Sequence, residues 1–336
     1  MKKGKPYVAI LMPGLLFLLL IIGSKTAAKG AAEGITQCMQ VIIPSLFPFF
    51  FASCWLNSKL TGILLPPLNL SRKLLAQPQG SESIFLMGLL GGYPVGATAI
   101  KNAYSHNAIT RETAHILLGY CNNAGPAFIF GVSHILFSSN WIPWIVWGIQ
   151  IISSIITGFL LPKSSESIAK ISVRNGTTMT QALQKSISIT GVVCGWILLF
   201  KVLLYTLGQL IFIQKQLPYF SGFLELSNGT MMLAGTLPLS LRFILFSVFL
   251  CAGGLCVYFQ TTTAVGTLGT GLYVPGKCIQ TAVCFLISLP IALLIWGKLP
   301  ISIPTLLFFI TICLVIILLL TVKCRKTSGN CEFNRV

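Results

Sequence analysis

Residues 119–128 read GYCNNAGPAF, and they lie at the centre of a run, 113–137, whose length and apolarity suit a bilayer crossing. Two adjacent amides, Asn122 and Asn123, are followed by Gly125 and Pro126. Proline removes a backbone donor and glycine permits a sharp turn, so the stretch predicts a helix broken at mid-depth. A broken helix exposes peptide N–H and C=O groups, which lipid does not tolerate and a protein-lined cavity uses. Half-helix N-termini attract anions, and C-terminal ends attract cations. The plainer alternative is a kinked helix whose amides bond to neighbouring helices.

The rest of the chain sets the frame for that break. Of its 336 residues 54 % are hydrophobic and 9 % charged, with a mean hydropathy of +0.85; a soluble chain carries roughly 25 % charged residues. The composition defines an all-α polytopic membrane protein, in contact with a lipid bilayer. Lys and Arg number 23 against 6 acids, none of them Asp, for a net charge of +17. In a soluble chain this excess would suggest nucleic acid. Here the cations fall mostly between apolar runs, where they set orientation, so no nucleic-acid partner is expected; they could also draw in an anionic substrate. Eleven cysteines include no CxxC pair and no Cys/His spacing suited to zinc, so no metal site is expected. The first residues, MKKGKPYVAILMPGLLFLLLIIGSKTAAKG, read as a signal peptide or a retained first span. Lys25 and Lys29 crowd any cleavage site and favour retention.

Apolar runs place about eight transmembrane helices near 7–23, 36–56, 113–137, 141–161, 187–210, 243–263, 278–297 and 302–322. Two more stretches, 83–100 and 219–236, have breaker-rich centres between short apolar arms, the pattern of re-entrant helical hairpins. With Lys2, Lys3 and Lys5 inside, the inner loops hold Lys59, Arg72, Lys73, Lys101, Arg111, Lys163, Lys170, Arg174 and Lys185. The outer ones keep Lys25, Lys29, Lys215, Arg242 and Lys298. The order span, hairpin, span, span recurs from the opposite side, giving an inverted repeat, a pointer to secondary transporters. The expected division is 1–34, an N-terminal helix; 35–161, the first repeat; 162–186, a cytoplasmic linker; 187–297, the second repeat; and 298–336, a last helix with a basic tail. Self-association into a homo-oligomer is left open.

Several residues could carry chemistry. In GGYPVGATAI, Gly91, Gly92 and Gly96 allow close approach of a backbone or ligand, and Tyr93 could stack on a planar ring; a tight structural turn is the alternative. FLELSNG holds Glu225, the one acid within an apolar element. A carboxylate at bilayer depth costs roughly 2.5–3.5 kcal/mol on insertion scales. With Ser227 and Asn228 it could bind a coupling proton or sodium ion, or substrate; a shallow, wet hairpin is the alternative. Lys201 could pair with Glu225 or an anion, or snorkel to the interface. Gln260 could line the path or join helices. GLYVPGKC (271–278) mimics a phosphate loop, but ends in Cys278 where Ser or Thr belongs, follows no strand pattern and lacks an Asp partner. His106, His115 and His134 have no nucleophile or ligand set around them, so no cofactor and no enzyme activity are expected.

In that order, VIIPSLFPFFFASCWL, GLLGGYPVGATAIKNAY, GYCNNAGPAFIFGV and FLELSNG resemble the sporulation integral membrane protein family YlbJ, also called SpoVV, over about residues 35–295. Val95 stands where that family commonly has a small polar residue. The resemblance implies a nucleoside-recognition (Gate) domain like that of concentrative nucleoside transporters. It also implies a carrier of the bacterial cell membrane, in the outer forespore membrane during sporulation, that moves dipicolinate. By the same resemblance hairpins 83–100 and 219–236 would meet the broken helix at the substrate site. A nucleoside carrier and a non-transporting sporulation scaffold are the rival readings.

Overall fold

The computed structural model describes residues 6–60, 81–164, 178–208, 217–235 and 237–332. All regular elements among them are helical. Helix α1 (Pro6–Ile22) is followed by α2 (Ser24–Gln37), which continues through a widened π turn (Cys38–Ile42) into α3 (Ile43–Leu60). Pro44 cannot donate to the turn before it. The chain absorbs this by bonding the Ile43 N–H five residues back, to the Cys38 carbonyl.

A short helix pair follows, α4 (Ser81–Gly91) and α5 (Val95–Ser105), joined by a tight turn at 92–94. Next come α6 (Arg111–Leu118) and α7 (Pro126–Leu136), the two parts of the expected broken span, and then α8 (Ile142–Leu160). Pro126 takes the first position of α7, where its missing N–H costs nothing. Helix α9 (Met179–Leu207) opens with a reciprocal cap between Thr178 and Gln181. A second short pair, α10 (Leu217–Leu224) and α11 (Leu226–Met232), meets at Glu225. Helices α12 (Leu239–Ala252) and α13 (Gly254–Val265) lead through a 3-10 turn (Gly266–Leu268) to α14 (Tyr273–Trp296) and α15 (Ile303–Glu332). The order long helix, short pair, divided helix, long helix thus occurs twice, in α3–α8 and in α9–α14.

Two features differ from expectation. The run 243–263, read as one continuous span, is divided: Gly253 and Gly254 have φ of 72° and 78°, and two successive left-handed residues end one helix and start another. Among the described residues six segments are long and apolar enough to cross a membrane, against about eight expected: Ser24–Leu56, Ile142–Leu160, Met179–Thr206, Leu239–Leu268, Tyr273–Trp296 and Ile303–Arg325. Of the other two, α1 has 17 residues and 113–137 is split into short helices. Helix α9 also begins inside the linker expected over 162–186. Lys2, Lys3, Lys5, Arg72, Lys73, Lys170, Arg174 and Lys215, used for orientation, lie outside the described residues, as does Thr236 at the end of the second hairpin.

Packing holds the N-terminal helix α2 against the second half. Gly30 and Gly34, one turn apart, set α2 against α9: a Cβ on Gly30 would stand 3.0 Å from Tyr205 Cβ and 3.1 Å from Val202 Cα, the small-residue contact common between membrane helices. Helix α15 turns an almost wholly apolar and exposed surface outwards, including Leu307, Phe308, Leu318 and Leu319, as a lipid-facing helix should.

Candidate functional site

The peptide groups freed at the first break find their partners on α8. Gln150, Ser153, Ser154 and Thr157 are buried at helical spacing on one face. Gln150 Nε2 donates to the Ala124 carbonyl (2.7 Å) and Ser154 Oγ to the Tyr120 carbonyl (2.6 Å), which also accepts Asn123 Nδ2 (2.8 Å). A polar stripe on one helix therefore stabilises the interruption of another. Asn122 is wholly buried. Its Oδ1 accepts the Ala97 N–H (3.2 Å) and its Nδ2 donates to Thr261 Oγ1 (2.9 Å), so it ties α5 in the first half to α13 in the second.

Glycines let these parts touch. Gly92 has φ of 77°, and a Cβ there would lie 2.7 Å from the Gly125 nitrogen. Gly96 leaves room for the Asn122 backbone, which a Cβ would approach to 3.1 Å at Cα. The second half repeats the device: a Cβ on Gly254 would stand 2.7 Å from the Gly222 carbonyl oxygen. Tyr93 crosses between halves, donating its hydroxyl to the Leu250 carbonyl (3.2 Å) beside the second break.

Glu225 is 2 % exposed, which removes the reading of a wet hairpin. Its carboxylate caps α11, accepting the backbone N–H groups of Ser227 (2.9 Å) and Asn228 (2.6 Å) together with Ser227 Oγ (2.8 Å to each oxygen). Lys201 does not reach for an interface. Its ammonium donates to Asn228 Oδ1 (2.5 Å) and Gln37 Oε1 (3.2 Å), and Gln37 Nε2 donates to Ser227 Oγ (3.0 Å). The Tyr205 hydroxyl, next along α9, bonds Glu33.

Between these elements lies a cavity of about 50 Å³. Both short pairs and both halves of the chain reach it: Gly91, Gly92 and Tyr93 from the first turn, Ala124 and Gly125 from the first break, Glu225, Leu226 and Ser227 from the second pair, and Val257 and Gln260 from α13. Phe50 of α3 and Val193 and Ile197 of α9 close its sides. Of the residues singled out in the sequence, Gly91, Gly92, Tyr93, Gly125, Glu225, Ser227 and Gln260 line it. Gly96, Asn122, Asn123, Asn228 and Lys201 do not; Asn228 and Lys201 border a separate cavity. Gln260 Nε2 donates one of its two protons to Cys256 Sγ (3.3 Å).

A further cluster went unread in the sequence. Lys277, within the apparent phosphate loop, lies in α14 and not in a loop, and is 4 % exposed. Its ammonium donates to Gln280 Oε1 (2.7 Å) and Asn123 Oδ1 (3.1 Å), stands 5.1 Å from the centre of the Tyr93 ring, and shares Asn123 Oδ1 with Gln280 Nε2 (2.8 Å). The Gln–x–x–Ser–Ser–x–x–Thr spacing of α8 was a legible signal for its part of the site; for Lys277 no local signal exists.

Divided helices, buried polar groups at their interruptions and a lipid-facing periphery define a multi-pass α-helical membrane protein with an internal polar site. Over 131 residues the chain is 31 % identical to the sporulation integral membrane protein YlbJ of Bacillus subtilis (strain 168), covering 37 % of this chain and 32 % of that one. The match supports the resemblance to the YlbJ family, and the chain spans about a third of the length of this curated relative. No family model matches the chain, and no solved structure matches it.

Proposed function

We propose that the protein is a secondary carrier of a small organic anion, working by alternating access, with dipicolinate as its substrate and spore formation as its setting. The observation that carries this reading is the cavity at which both short helix pairs and both divided helices meet. Transporters place substrate where interrupted helices from two repeats converge at mid-depth. The recurring element order supports an inverted repeat of the Gate type, with 81–105 and 217–232 as its re-entrant hairpins. At about 50 Å³ the cavity is far below the roughly 300 Å³ that small-molecule sites begin at; a planar ring enters only when the two halves part. Tyr93 then offers its face to that ring, and Glu225 with Ser227 offers a seat for a coupling proton or sodium ion. The name of the Bacillus subtilis relative supports a role in sporulation; the outer forespore membrane is the place we propose for it.

The test is uptake of radiolabelled dipicolinate into liposomes holding the purified chain, with and without a sodium or proton gradient. Saturable uptake, blocked by unlabelled dipicolinate and indifferent to uridine, is expected. Competition by uridine would favour a nucleoside carrier instead. No uptake and no thermal shift with either compound would leave a scaffold and overturn the proposal.

A further inference from the structure

Lys277 is a buried charge whose hydrogen-bond partners include no acid. A buried ammonium is costly unless a counter-charge or a full set of acceptors meets it. Its hydrogen-bond partners are two neutral amide oxygens, on Asn123 and Gln280, and the remaining face of the ammonium looks onto the Tyr93 ring. Packing alone does not call for a charge here, because a methionine fills similar volume without one. Position adds to chemistry. Asn123 belongs to the first break, and Tyr93 to the turn of the first short pair. Lys277 thus lies one ring behind the cavity wall, since Tyr93 both lines the cavity and covers the ammonium.

We infer that Lys277 is the counter-charge for a carboxylate of the transported anion, with Tyr93 covering its ammonium until the anion arrives. This rests on the carrier reading and names the group that makes the site select anions. Asn123 and Gln280 orient the ammonium, as amides hold a cation without cancelling its charge. Tyr93 is tied by a single hydroxyl bond to the Leu250 carbonyl, beside the second break. A shift of α12 against α13 therefore moves the ring, linking the approach of the anion to a change in the other half. One carboxylate takes the place of the Tyr93 face at Lys277 while the rest of the anion stays in the cavity.

Equilibrium binding of pyridine-2,6-dicarboxylate and of its uncharged diamide to the detergent-purified chain decides this. The parent should bind the dicarboxylate at least tenfold more tightly than the diamide. Lys277→Met should lose that preference, binding both alike, while its melting temperature and elution volume show a folded protein. Gln280→Glu, which keeps the lysine and hands it an internal carboxylate, should weaken dicarboxylate binding by a similar factor and stands in if Lys277→Met does not fold. Binding within twofold of the parent in whichever of these variants folds would overturn the role of Lys277 and leave the carrier reading standing. A parent that binds neither compound would bring down both.

Discussion

Two lysines in this protein are held in nearly the same way and differ in what lies behind them. Lys201 and Lys277 each donate to one asparagine and one glutamine oxygen, Asn228 and Gln37 in one case, Asn123 and Gln280 in the other. Behind Lys201 the network runs on through Gln37 and Ser227 to the Glu225 carboxylate, and the neighbouring Tyr205 bonds Glu33. Its charge is balanced by acids of the chain itself. Behind Lys277 the hydrogen bonds end in neutral groups, Tyr120, Ser154 and the peptides of the first break. Identical first neighbours thus build a self-contained polar joint in one place and an open charge in the other. The lesson is that the function of a buried lysine is read from the second ring of partners more than from the first.

The comparison can be broken most forcefully at the backbone. Gly92→Val, which forces a side chain into a left-handed position 2.7 Å from the Gly125 nitrogen, should cost about 3 kcal/mol. It should abolish dipicolinate uptake through the Asn123–Lys277 side, and a thermal melt with a liposome assay would show both. Next, the supports of the two sites should differ. Gln150→Leu strips the buried Ala124 carbonyl of its side-chain donor and should cost about 1–3 kcal/mol. Gln37→Leu interrupts a joint that Glu225 and Asn228 still hold, and should cost about 0.5–1.5 kcal/mol; paired melts of the two variants give the order. A matched swap sharpens the contrast in binding. Against the tenfold loss expected of Gln280→Glu, about 1.4 kcal/mol, Gln37→Glu should change dicarboxylate Kd by less than about twofold, or about 0.4 kcal/mol. The smallest effect on binding is expected from Lys201→Met, which should leave the dicarboxylate Kd unchanged within error while lowering the melting temperature. Equal losses at both lysines would erase the distinction.

The fold was legible where polar and helix-breaking residues coincide, and illegible where they do not. Asn122, Asn123, Gly125 and Pro126 announce the first break because an amide pair and a proline have no reason to share the middle of a span. Gly253 and Gly254 sit in FLCAGGLCV, where small residues read equally well as a helix-packing face; only their positive φ distinguishes the two. The burial of Glu225 accords with its apolar surroundings, yet its capping role depends on the chain turning back so that Ser227 and Asn228 present their N–H groups. Lys277 was hidden most thoroughly. Its partner Asn123 is 154 residues away in sequence, and the glycines before it mimic an unrelated motif. Side chains that meet across two halves leave no local pattern to read.

The most direct check on the shared, alternately opened site is exchange. Liposomes carrying the purified protein would be preloaded with unlabelled dipicolinate, and the initial uptake of labelled dipicolinate compared with that of empty vesicles. A carrier whose two halves part on one side at a time should take up label faster into preloaded vesicles. Uptake that ignores the internal pool, or no uptake at all, would contradict it.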